Sequence, residues 1–391
     1  MTNQSKGIFT GAAFLMATSA IGPGFITQTT VFTEQYLASF GFIILLSVIL
    51  DIGVQLNIWR IITVSGAYAQ DIANNVLKGS GHLLAILVGL GGLAFNIGNI
   101  AGCGLGLQLL TGFSLPLCVI ISCVIALFIF LVKEAGRAMD IFAKVLGVLM
   151  LLLTIYVAIQ AHPPLIEALH KSLLPDRFSE TATLTIVGGT VGGYICFSGA
   201  HRLLQGGISG EAHLKKVSRH SVIAILLAAA MRIILFLAAL GIVVKGIHLD
   251  AANPASTVFS NAAGRIGLYL FGIVLWSAAI TSVTGSAYTS VSFLQSLHPA
   301  IKKNYKVMII AFICISTSIF LFIGKPKEVL IIAGAVNGLI LPVSLSLVLL
   351  AAYSKKIVGS YRHPKWMVAF GWLVVVAMTY ISIRSIIELS S

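Results

Sequence analysis

Two places in this chain combine backbone groups left without helical partners and side chains that hydrogen-bond without carrying charge. At the first, Gly22, Pro23, Gly24 and Phe25 lead into Thr27, Gln28, Thr29 and Thr30. At the second, Gly188-Gly189-Thr190-Val191-Gly192-Gly193 leads into Tyr194 and Ser198. Both sit inside long apolar runs, where Gly and Pro interrupt a helix and free its N–H and C=O groups. Each such group left unpaired against lipid costs several kcal/mol, so a break of this kind is confined to protein interior or to the wall of a water-filled cavity. The half-helix starting near Phe25-Ile26 presents free N–H groups and about half a positive charge, which makes it an anion site. Thr27, Thr190, Tyr194 and Ser198 add hydroxyls. Asn96 and Asn99, one helical turn apart on a single face, add amides. Such a lining suits a small organic solute with a carboxylate or carbonyl group: an amino acid, a cyclic derivative or another carboxylate. The competing roles are plain ones. Glycines also pack helices together, and Ser or Thr hydroxyls in a membrane helix often bond to their own backbone.

Two charges stand inside apolar runs. Asp51 lies in Ser47-Val48-Ile49-Leu50-Asp51-Ile52-Gly53 and Arg232 in Ala230-Met231-Arg232-Ile233-Ile234. Intramembrane charge is costly and points to function, so Asp51 is one choice for a proton site. The alternative is a structural charge pair with Arg232, or snorkelling toward the end of the span that carries Arg60.

The elements that must position these residues are membrane helices. The chain has 391 residues, of which 58% are hydrophobic and 9% charged, with a mean hydropathy of +1.01. A soluble globular domain carries about 25% charged residues. The formal charge of +13 resides mostly in short loops between apolar runs, a distribution that argues against nucleic-acid binding. The five cysteines, Cys103, Cys118, Cys123, Cys196 and Cys314, occupy apolar segments at no metal-ligand spacing. Residues Met1 to Gly7 are too few for a cleaved leader, so the first apolar run is expected to be retained.

At about 20 residues per crossing, eleven spans are expected, at 9–31, 38–63, 82–111, 115–132, 139–160, 182–205, 220–244, 264–295, 305–323, 327–353 and 363–387. With the N-terminus cytoplasmic and the C-terminus outside, inner loops hold seventeen of the 25 Lys and Arg residues and outer loops seven, as the positive-inside rule requires. Lys133, Glu134, Gly136 and Arg137 read as a solvated inner loop, and the basic run from Lys215 to Arg219 as a contact for lipid headgroups. A polar loop over 161–181, with Pro163, Pro164 and Pro175, divides spans 1–5 from spans 6–10. One transmembrane domain follows, with one five-helix unit over 9–160, a second of opposite orientation over 182–353, and an added helix at 363–387. Broken helices opening both halves are the mark of a secondary transporter with inverted repeats.

Several segments carry a family likeness. Phe14-Leu15-Met16-Ala17-Thr18-Ser19 leading to Pro23-Gly24, Gly189-Thr190-Val191, Ile280-Thr281-Ser282-Val283-Thr284-Gly285-Ser286-Ala287, and Val336-Asn337-Gly338-Leu339-Ile340-Leu341-Pro342 resemble spans 1, 6, 8 and 10 of the NRAMP family. That resemblance implies an all-α leucine-transporter-type fold with two inverted five-helix repeats and discontinuous helices 1 and 6. It also implies that Thr281, Ser282 and Thr284 could complete a sodium site with span 1 carbonyls, or serve only as an inherited packing motif. The departures are concentrated at the metal. Where the family has Asp-Pro-Gly-Asn, this chain has Gly22-Pro23-Gly24-Phe25. Where it has Met-Pro-His, this chain has Gly192-Gly193-Tyr194. Acidic residues of span 3 are replaced by Asn96-Ile97-Gly98-Asn99, and a span 6 His falls at Gly199, two positions before His201, which with Arg202 is expected to cap the helix C-terminus.

Divalent cations need carboxylate, imidazole or thioether ligands to replace their hydration shell, and these are the groups lost; their loss is also expected to enlarge the cavity. The expectation is therefore an alternating-access transporter of a small organic solute coupled to Na+ or H+, with no metal site and no cofactor, in the cell membrane. A divalent metal–proton symporter and, from a different class, a channel or non-transporting sensor are the alternatives. Nothing in the pattern assembles a nucleophile, a base and an orienting acid, so no enzyme is expected.

Overall fold

The computed structural model describes residues 3–390, with side chains described outside 3–6, 133–144 and 389–390. Its elements are helices, without a strand among the described residues. Among the described residues, eight helical stretches are long and apolar enough to cross a bilayer, or nine when Val145–Ala161 and Leu165–Leu173 are taken as one span bent by 106°. The expected count of eleven differs at the front and at the fourth span. Gly7–Ala20 is short because the first crossing is broken, and Leu115–Leu131 has 17 residues, at the lower end of the spanning range.

Helices α1 (Asn3–Ala20) and α2 (Pro23–Tyr36) form the broken first crossing, followed by α3 (Phe40–Ser65) and a short α4 (Ala69–Val76). Next come α5 (Ser80–Thr111), α6 (Leu115–Leu131), α7 (Lys133–Ala161) and α8 (Leu165–Leu173). The second broken crossing is α9 (Glu180–Val191) with α10 (Ile195–Gln205). The chain continues through α11 (Leu214–Val243), α12 (Pro254–Leu294), the short α13 (Pro299–Lys303), α14 (Tyr305–Ile323), α15 (Pro326–Ala351), the short α16 (Lys355–Val358) and α17 (Lys365–Ser390). Helix α12 bends at Gly264 (φ 60°, ψ −153°), where span 8 is expected to begin.

The helices pack in two groups. In one, α1 lies against α10 and α11, α2 against α11, and α3 against α9, α10 and α11. In the other, α5 runs along α12, with α6 and α14 beside them. Helix α7 leans on both α11 and α12, and α15 is wedged between α9 and α5. Each group buries its own apolar core: Ile58, Trp59, Val187, Phe197 and Leu345 in the first, Ile100, Val119, Val283 and Ile313 in the second. Apolar side chains left outside, such as Val124 and Phe128 on α6 or Leu373 and Val376 on α17, form the lipid-facing skin that a membrane solvent allows.

Three local expectations change. The 161–181 segment contains a helix, α8, whose Ile166, Leu169 and Leu173 are exposed; its leucines at helical spacing outweigh the prolines before it. The backbone at Lys133, Glu134, Gly136 and Arg137 is helical rather than looped, and the side chains there lie outside the described residues. His201 does not serve its own helix end. It is buried, and its Nε2 accepts the Ala69 N–H at 3.2 Å, capping the start of α4.

Candidate functional site

The two breaks are narrower than the glycine runs that mark them. At the first, the helix stops at Ala20, Gly22 is extended (φ −122°, ψ −171°), and Pro23 already occupies the first position of α2. Proline fits there because that N–H would have no helical acceptor and its φ is pre-set. Helix α2 therefore starts two residues earlier than Phe25. Its first bond runs from the Ile26 N–H to the Gly22 carbonyl at 3.2 Å. A Cβ on Gly102 of α5 would lie 2.2 Å from Pro23 Cγ, so Gly102 is what lets the break seat against the second group.

At the second break, Gly188 and Gly189 remain helical and only Gly192 to Tyr194 leave the helix, Gly193 with φ +55°. Gly188 packs instead: a Cβ there would lie 2.1 Å from the Gly334 carbonyl. At Gly192 and Gly193 the space is filled rather than opened. A Cβ on Gly193 would lie 1.8 Å from Asn337 Oδ1, and one on Gly192 would lie 2.7 Å from the Asn337 carbonyl. Asn337 of α15 takes the space, anchored by Nδ2 donating to the Gly91 and Ala333 carbonyls at 2.9 and 2.8 Å.

The structure brings some of the predicted residues together and separates others. Gly22, Gly24, Phe25, Thr27, Asn99, Thr190, Gly192 and Tyr194 are all buried near the breaks. Asn99 Oδ1 lies 3.7 Å from the Cβ position of Gly22. Asn96 turns elsewhere: it accepts from Ser286 at 2.8 Å and donates to Ser316 at 3.0 Å, tying α5 to α12 and α14. Tyr194 sets its ring edge-on to Phe95, 5.8 Å between centroids. Ser198 donates to its own Ile195 carbonyl. Thr281 and Thr284 likewise bond within α12, and with Ser282 they are half-buried. Gly199, where the family His falls, admits Trp59, whose Cζ2 lies 2.0 Å from a Cβ built there.

Gln28 and Arg232 do the joining. Gln28 is fully buried between Gly24, Gly189 and Gly334, donates to the Leu330 carbonyl at 2.9 Å, and leaves Oε1 unpaired. Arg232 connects the two breaks directly. Its guanidinium carbon lies 4.0 Å from the Phe25 ring centroid in the first turn of α2. Its Nη2 donates to Thr190 Oγ1 at 3.0 Å in the last turn of α9. Arg232 Nη1 has no partner, and neither have Asp51 Oδ1 and both amide atoms of Gln55. The signal in the sequence was the charge itself; what it touches depends on how α11 packs.

A second polar cluster lies farther along α3, at Asn57 and Arg60, and its bonds run in one direction. Asn57 Nδ2 donates to the Gly53 and Met367 carbonyls, so its Oδ1 is the acceptor for His363 Nε2–H at 2.8 Å. That leaves His363 Nδ1 to accept from the Tyr361 hydroxyl at 3.2 Å, which in turn accepts from Arg60 Nε at 3.1 Å. Arg60 Nη1 donates to Ser218 at 2.7 Å. Burial, helped by the Arg60 charge, lowers the His363 pKa to about 4, keeping the ring neutral.

Comparison with known proteins agrees with this geometry. The model of the Natural resistance-associated macrophage protein-like family matches residues 13–388. A membrane protein of Haemophilus influenzae is 56% identical over 378 residues, covering 97% of this chain and 95% of that one. The manganese transporter of Eremococcus coleocola superposes with a TM-score of 0.76 at 17% identity, covering 98% of this chain and 87% of that one. MhsT in complex with L-phenylalanine superposes with a TM-score of 0.65 at 15% identity, covering 96% and 97%. The fold is of the leucine-transporter type, with helices 1 and 6 discontinuous.

Proposed function

The chain belongs to the Nramp family of membrane transporters, and on that premise we propose that it carries a small organic solute rather than a transition metal, by alternating access around the two breaks and coupled to Na+ or H+. The observation that carries this reading is the place of Arg232. Its buried guanidinium touches the first turn of α2 and the last turn of α9, the two segments that flank a centrally bound solute. Taken by itself, that charge would oppose a divalent cation ~6 Å away by about 5.5 kcal/mol at an effective dielectric of ~20. A carboxylate or carbonyl would be attracted by it. The groups at the breaks, Asn99, Gln28, Thr190 and Tyr194, donate and accept hydrogen bonds without adding negative charge.

The domain plan accompanies the same proposal: inverted repeats over about 9–160 and 182–353, each opened by a broken helix, with 363–387 added, the N-terminus cytoplasmic and the C-terminus outside. The competing reading is metal–proton symport, favoured by the likeness to a manganese transporter. Titration calorimetry with Mn2+ and a thermal-stabilisation screen of amino acids, lactams and small carboxylates decide between them. Stabilisation by an organic solute, without micromolar Mn2+ binding, is expected; micromolar Mn2+ binding abolished by substitutions at the breaks overturns the proposal.

A further inference from the structure

Besides Gln28 and Asn337 at the breaks, the buried Arg232, Asp51 and Gln55 have atoms that no protein group satisfies. Arg232 is 2% exposed and its Nη1 is unpaired; Asp51 is 1% exposed and its Oδ1 is unpaired. Gln55, one turn along α3 from Asp51 and on the same face, is fully buried with both amide atoms unpaired. Asp51 and Arg232 act on each other as opposite charges. Yet they are not among the described pairs within 4.0 Å, which are Lys171–Asp176, His248–Glu34 and Arg384–Glu180. A buried pair that does not close gives up most of the attraction that offsets its desolvation. Such an arrangement is suited to a third group between them.

We infer that Arg232 is the anchor for the carboxylate of the transported solute and that Asp51 takes up one proton when that carboxylate binds. This rests on the organic-solute reading above and names the chemical class and the coupling ion within it. Charge balance links the two events. Empty, the site holds one guanidinium cation and one carboxylate anion, a net charge of zero. A bound carboxylate makes it −1 in a dry interior, where an uncompensated charge is strongly disfavoured. One proton on Asp51 returns it to zero, so solute and proton enter together. No covalent bond forms; the proton moves from water to an Asp51 oxygen, and the solute carboxylate accepts from Arg232. The Gly24 and Phe25 N–H groups, which precede the first helical bond of α2, add a positive potential beside the guanidinium.

Among the described residues, no titratable group besides Arg232 acts on Asp51 from the helices around α3. Helix α10 contributes His201 and Cys196, which lie at Ala69 and Trp59, toward the far end of α3. Arg384 of α17 pairs with Glu180 of α9, Lys171 of α8 pairs with Asp176, and Glu34 of α2 accepts from the Leu249 N–H. Arg232 of α11 is the charge that acts on it.

The test uses the full-length protein in detergent and in proteoliposomes. The probes are straight-chain and aromatic monocarboxylates of three to nine carbons, each against its primary amide. At least one carboxylate is expected to raise the melting temperature where its amide does not. Its Kd is expected to rise about tenfold per pH unit above the Asp51 titration, as uptake of one proton per ligand requires. In Asp51→Asn the carboxylate binds with a pH-independent Kd and exchanges across the membrane without accumulating on a pH gradient. Arg232→Gln weakens binding more than tenfold. The wild-type pH dependence needs no variant, so a misfolded variant does not remove the test. A neutral amide that stabilises as well as its acid, or a wild-type Kd independent of pH, overturns this inference and leaves organic-solute transport standing. Micromolar Mn2+ binding with no organic stabiliser overturns the function itself.

Discussion

Helix α3 carries two buried polar clusters, and they differ in how completely the protein satisfies them. Toward one end, Asn57, Arg60, Tyr361, His363 and Ser218 form an unbroken donor-to-acceptor chain that binds α3 to α11 and to the start of α17. Toward the breaks, Asp51, Gln55 and Arg232 retain unpaired atoms. An unsatisfied buried polar group costs about 1–3 kcal/mol. The first cluster avoids that cost and works as a fastening. The second accepts it beside the two unwound segments, which is where a transported solute would supply the missing partners.

That contrast is breakable. The largest expected effect comes from replacing the incomplete pair with apolar side chains: Asp51→Leu with Arg232→Met removes solute uptake by more than 100-fold, while the melting temperature stays level or rises, since such swaps are often neutral or stabilising by about 1–4 kcal/mol. A fall in melting temperature comparable to that of a fastening variant would erase the distinction. Asn57→Leu has the opposite profile. It strands the His363 Nε2–H and removes two further bonds, to the Gly53 and Met367 carbonyls, so denaturation should show a loss of about 3 kcal/mol.

The fastening also has a pH dependence of determined sign. The His363 pKa is lowered to about 4 in the folded protein, against about 6.5 in an unfolded chain. Its contribution to stability is therefore complete above pH 6.5 and declines as pH falls toward 4. Melting temperature measured across that window should drop, and His363→Asn should flatten the drop; an identical pH profile in the variant would show that the ring is not the cause. The smallest effect belongs to polar groups satisfied within their own helix. Thr154 is buried and donates to the Met150 carbonyl at 2.7 Å, so Thr154→Val should change stability by no more than about 0.5 kcal/mol and leave uptake unchanged.

Much of the fold was legible because the bilayer leaves few options. Apolar runs of about 20 residues had to be helices, and Gly22-Pro23 could not continue one. The second glycine run was harder to read. Gly188 and Gly192 are the same residue type four positions apart, yet one is a packing surface for α15 and the other ends a helix. Asn96 and Asn99 share a helix face, but Ser286 and Ser316 lie beside the first and the Gly22 break beside the second. Residue type and spacing do not reveal which neighbour arrives.

By itself the sequence determined the solvent, the helical class, the two interruptions and the absence of acidic and thioether side chains from them, because each follows from composition or local backbone chemistry. The tertiary structure alone decided that Asn337 fills the room left at Gly193, that Trp59 occupies the place beside Gly199, and that Arg232 reaches both breaks at once. Those outcomes depend on helices brought together from distant parts of the chain, and the close-packed interior fixes which side chain fills each space.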